Sequence, residues 1–160
     1  MSDQNGTGSV PTYTHTFTSS GLTVTYKKVA PKLVRDWLRG YRAKHQPTPP
    51  KQFVESVGHE VENPTDPDYQ RALQTYLAQE DDDYADFIIG FATVQFDRDA
   101  VRQLREQVGD VALHPNDAVV FVRDLAALRE AEAVEYAREI LYLTQPSEEE
   151  IRRAAASFQG

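Results

Sequence analysis

The chain has 160 residues, 40% of them hydrophobic, which is enough for one domain with a real core. It contains no cysteine, which excludes a cystine scaffold and a thiolate metal site and fits a reducing cytoplasm. The net charge of -8 is unevenly spread: seven basic against two acidic side chains in residues 1–50, five against fourteen in 51–110, and five against nine in 111–160. An acidic body disfavours binding to nucleic-acid backbones, which needs clustered Lys and Arg, and favours contact with basic partner surfaces.

Residues 1–11 are rich in Gly, Ser and Asn and too polar to offset their ordering entropy, so a disordered tail is expected. Asp3 stands where a signal peptide would carry positive charge, so no targeting segment is expected. The longest run of purely apolar residues and glycine, Phe87 to Ala92, is far short of the roughly 20 residues that cross a bilayer. A soluble protein with no membrane partner follows. From Tyr13 the pattern changes to period two: Tyr13, His15 and Phe17, then Leu22, Val24 and Tyr26, around Ser19-Ser20-Gly21. This predicts a β-hairpin.

Pro31 suits a first helical position, and Leu33, Val34, Trp37, Leu38 and Tyr41 recur at helical spacing, predicting a separate helix over 31–45. Gln46 to Pro50 is a stiff proline-rich stretch, and Gly58-His59 marks a short hairpin within the linker 46–66. Asp66-Pro67-Asp68 opens another helix, with Asp66 as its cap and Tyr69, Leu73, Tyr76 and Leu77 on one face. Four carboxylates, Glu80 to Asp83, interrupt that face. Tyr84, Phe87, Ile88, Phe91 and Phe96 resume it as the most hydrophobic helix, where the central core is expected.

Asp97 caps a helix that stops at Gly109, and residues 116–143 form either one helix or two, with Val119, Val122, Leu125, Val134, Ala137, Ile140 and Leu141 inward. Ser147 and Glu150 make a capping box for a last helix over Ile151, Ala154, Ala155 and Phe158. The expected fold is mainly α: a helical domain over 67–160, preceded by the tail 1–11, a small β-hairpin with a basic helix over 12–45, and the linker 46–66.

Signals for chemistry are weak. Glu80 to Asp83 with Asp86 could take Ca²⁺, but an EF-hand loop starting at Asp81 would need Gly where Asp86 stands. A solvated run of charge is the simpler reading. His15, His45, His59 and His114 are scattered at spacings that do not build a zinc helix, and no phosphate-binding glycine loop exists. No catalytic, metal or cofactor residue is assigned, and an enzyme is not expected. The one coherent cluster is basic: Lys27, Lys28, Lys32, Arg35, Arg39, Arg42 and Lys44. It reads as a solvated helix face, as a contact for an acidic neighbour or partner, or, least in keeping with the acidic body, as a nucleic-acid site. The expected partner-binding residues are Lys28, Lys32, Arg35, Arg39 and Arg42, together with the apolar Phe87, Phe91, Val122 and Leu125.

The segment Pro49-Pro50 through Val57-Gly58-His59-Glu60, followed by Asn63-Pro64-Thr65-Asp66-Pro67-Asp68-Tyr69-Gln70-Arg71-Ala72-Leu73, resembles the tail assembly chaperones of long-tailed bacteriophages. The strand Thr23 to Val29 with its basic helix, and the closing Pro146 to Phe158, are similar as well, so the likeness covers most of the chain in order and spacing. It implies a non-structural protein of the host cytoplasm that binds the tape-measure protein, is displaced by tail tube protein, and is absent from the mature virion. Self-association is a further expected partner relation. Such families often also make a longer form by ribosomal frameshifting. The alternatives are a structural tail or connector protein retained in the virion, and a metal-dependent hydrolase using Glu80 to Asp86 with His59.

Overall fold

The structure, a computed structural model, describes residues 10–109, 113–144 and 148–158. Residues 1–9 of the expected tail, and Ser147 of the expected capping box, lie outside them. The fold is mainly helical, with a small N-terminal antiparallel hairpin. Its contacts divide it into two compact units, one of Met1–Pro31 with Ala85–Gly160 and one of Lys32–Tyr84.

In the first unit β1 (Thr12–Thr16) pairs with β2 (Thr23–Lys27), which pairs in turn with β5 (Thr93–Gln95), all antiparallel. The hairpin follows from its period-two pattern: Val24 and Tyr26 are buried, Tyr13 and His15 half-buried, and Thr12, Thr14 and Thr16 exposed. Gly21 takes a φ of 73°, and its N–H donates to the Phe17 carbonyl at 2.8 Å, closing the turn. Against this sheet lies Tyr136 of α5 (Glu130–Thr144), fully buried, with ring centroids of His15, Phe17 and Tyr26 at 4.9, 5.4 and 5.4 Å. Its hydroxyl shares a 2.8 Å hydrogen bond with Thr93 Oγ1. Ile88, Ile89, Val101, Val120, Phe121 and Ile140 are also fully buried in this unit.

Helix α2 (Pro67–Ala92) is continuous, and the expected break at Glu80 to Asp83 does not occur. Its start is as read: Asp66 Oδ2 accepts from the Tyr69 N–H at 3.0 Å. The carboxylates stay helical because neighbours one turn away engage them. The Tyr76 hydroxyl donates to Glu80, and Gln79 Nε2 donates to Asp83 at 2.9 Å. Helix α2 then ends directly in β5, where a longer helix reaching Phe96 was expected.

Helix α3 (Arg98–Val108) has the expected caps: Asp97 Oδ1 accepts from the Ala100 N–H at 3.0 Å, and Gly109, at φ 79°, donates to Arg105 O at 2.8 Å. The stretch after Pro115 forms two helical pieces. Asn116 caps α4 (Asp117–Val120), which widens into a π-helix, Phe121–Ala126, before the chain turns extended at Ala127. That break is held from outside: Leu128 N–H donates to Ser19 Oγ at 3.1 Å, and Ser19 N–H donates to Glu132 at 2.9 Å. A last helix, α6 (Glu148–Phe158), follows. Among the described residues no helix is long and apolar enough to cross a membrane.

Where α2 passes α4, Gly90 leaves room for the Asn116 side chain that caps α4. A Cβ on Gly90 would stand 2.9 Å from Asn116 Nδ2 and 3.3 Å from Val119 Cγ2, whereas one on Gly40 would meet nothing within 4 Å. Gly40→Ala is therefore expected to stabilise the protein by about 0.5–1 kcal/mol through helix propensity alone. For Gly90→Ala the same gain is set against about 1–3 kcal/mol of overpacking, and a net loss is expected. Urea denaturation of both variants checks this: a Gly90→Ala chain at least as stable as Gly40→Ala would contradict this close approach.

Candidate protein-interaction site

In the second unit, α1 (Pro31–His45) is held to the first part of α2 by aromatic stacking. Trp37 stacks on Tyr41 with centroids at 4.9 Å and on Tyr84 at 5.6 Å, and Tyr41 stacks on Tyr76 at 6.1 Å. Tyr41 also donates its hydroxyl to Asp83 Oδ2 at 2.7 Å. Desolvation, reinforced by that bond, pushes the Tyr41 phenol up to about 12. One side of α1 is thereby fixed inward.

The opposite side carries the basic residues. Lys32 donates to Asp36 at 2.6 Å, one turn on, and this holds the Asp36 carboxyl below its usual range. Arg42 reaches Glu80 at 3.4 Å. Arg35 and Arg39 are exposed and make no ion pair among the described residues. Together with Leu38, which is half-buried, Arg35, Arg39 and Arg42 line a shallow recess of about 360 Å³. Spacings of four and three residues place these arginines on one helical stripe. Lys28 is exposed but belongs to the first unit, after β2.

Of the expected apolar contacts, Phe87 and Phe91 come together on α2 with centroids 5.9 Å apart. Phe91 is 43% exposed, with the Lys27 ammonium 5.5 Å from its ring centroid, and Phe87 is half-buried. Leu125 is half-buried in the π-helix. Val122 is fully buried, so it supports the core and offers no surface to a partner.

Sequence reasoning passed over the second hairpin, β3 (Lys51–Val54) with β4 (His59–Glu62), as a surface. Its register pairs Lys51 with Glu62 and Phe53 with Glu60, placing these four on one face, all exposed, with Phe53 at 60%. Val54 and Val61, on the other face, are half-buried. Gly58, with φ 73°, signalled the turn of this hairpin but not which of its faces is exposed.

Asp86 and His59 of the alternative metal site have other partners. Asp86 accepts from Arg123 and lies 3.6 Å from His114 Nδ1, and His59 Nδ1 lies 3.1 Å from the Val57 carbonyl. Among the described residues no group of three or more His, Asp and Glu side chains is placed to hold a metal ion.

Tyr41 gives a test of how α1 is held. Its phenol stays protonated in the folded state to about 12 but ionises near 10 when unfolded, so its contribution is complete below pH 10 and is lost as pH rises towards 12. Tyr41→Phe is expected to cost about 1 kcal/mol at pH 7 and to flatten the fall in stability above pH 10. Denaturant midpoints at pH 7, 10 and 11.5 read both effects, and an unchanged alkaline slope would show that the bond to Asp83 does not hold α1.

No protein-family model matches the chain, and no curated protein or solved structure is detectably similar to it.

Proposed function

We propose that this chain is a phage tail assembly chaperone. It binds the tape-measure protein in the host cytoplasm, keeps it soluble, and leaves as tail tube subunits assemble. The observation that carries the reading is the ordered resemblance of Pro49 to Leu73, and of Thr23 to Val29 and Pro146 to Phe158, to that family.

The physical case rests on exposed apolar groups. A tape-measure protein presents long apolar helical stripes, and a binder that covers them with modest affinity prevents aggregation while remaining displaceable. The Phe87–Phe91 pair offers an aromatic surface for such a stripe, and the Lys27 ammonium beside Phe91 marks its polar rim. The net charge of -8 keeps the bound assembly dispersed.

Co-expression with the tape-measure protein of the same phage tests this. The chain is expected to raise the soluble yield of the tape measure and to co-purify with it, and Phe91→Asp is expected to weaken capture at least about tenfold. Mass spectrometry of purified virions should find the chain absent or in traces. Failure to solubilise or co-purify the tape measure would overturn the reading, and stoichiometric presence in the particle would turn it towards a structural tail or connector protein.

A further inference from the structure

We infer that the outer face of the β3–β4 hairpin on one copy of this chain docks into the arginine recess of α1 on a second copy. The two surfaces match in chemistry and in layout. The recess has one apolar side chain, Leu38, among three guanidiniums, Arg35, Arg39 and Arg42. The hairpin face has one apolar ring, Phe53, with Glu60 directly across the ladder; two residues further along the same face Glu62 stands across from Lys51, so the face carries two carboxylates and one ammonium.

A volume of about 360 Å³ accommodates a phenyl group, and a guanidinium can take a carboxylate through two parallel N–H···O bonds. Within a single copy Arg42 of the recess is already engaged by Glu80, which leaves Arg35 and Arg39. Phe53, Glu60 and Glu62 are exposed, as are Arg35 and Arg39, which have no carboxylate bound to them among the described residues. Nucleic acid is a poorer occupant of the recess. The stripe is short, Arg42 is engaged by Glu80, and the chain as a whole carries a net charge of -8.

Hairpin and recess are different surfaces, so two copies that exchange hairpins about a two-fold axis close as a dimer, whereas one-way docking runs on from copy to copy. The inference does not depend on the chaperone reading, and its test uses the purified chain alone.

Sedimentation of the full chain over a range of concentrations should show reversible association that weakens as salt rises, because the paired charges lie at a wet rim. Phe53→Ala should weaken it about tenfold or more. The decisive arm uses two charge-reversed chains, one carrying Glu60→Lys with Glu62→Lys and the other Arg35→Glu with Arg39→Glu. Each alone brings like charges together and should stay monomeric, while an equimolar mixture restores both kinds of contact and should associate. Circular dichroism of each variant confirms that it is folded. A monomeric wild type, a mixture that fails to associate, or reversed chains that associate as well as wild type would each overturn the inference. Recess-dependent binding of a labelled DNA duplex without self-association would overturn it in favour of nucleic acid.

Discussion

A tyrosine hydroxyl that must find a partner inside a core organises the first unit. Tyr136 is fully buried among His15, Phe17 and Tyr26, and desolvation strongly raises its phenol pKa, so it stays neutral and must be satisfied by hydrogen bonding. Leaving such a group unpaired would cost about 1–3 kcal/mol. Thr93 answers it, and Thr93 sits across from Tyr26 in the sheet. The bond therefore requires the chain to leave α2 as a strand at that point. It joins helix α5 to the sheet and fixes where the most apolar part of α2 ends.

The second unit is held differently. Its helices meet through stacked rings and phenol-to-carboxylate bonds on one side of α1, and few of its side chains are fully buried. That economy leaves two outward faces with defined chemistry, the arginine stripe and the hairpin carrying Phe53, Glu60 and Glu62. Both present charge beside apolar area, the make-up of protein-binding faces.

Features set by local physics were legible in the sequence. Pro31, Asp66, Asp97 and Gly109 mark helix ends through restricted φ, side-chain caps or a left-handed glycine, and each marks an end in the fold. The Thr-rich alternation before Lys27 likewise announced the hairpin. What escaped was set at a distance. Strand β5 pairs with β2 and its Thr93 answers Tyr136, and α2 continues through its carboxylates, which Tyr41, Tyr76 and Gln79 engage. For the candidate site, the basic stripe could be read from residue spacing alone. The exposed hairpin face could not, since which side of a two-stranded ribbon is covered depends on its neighbours.

The proposed function rests on one physical claim, that exposed aromatic and charged faces, and no reactive group, are what this molecule contributes. Hydrogen–deuterium exchange of the chain, free and mixed with the purified tape-measure protein, tests that claim most directly. Protection should rise around Phe87 to Phe91, while the Tyr136 core exchanges as slowly in both states. Exchange that is identical with and without the tape-measure protein would contradict the account.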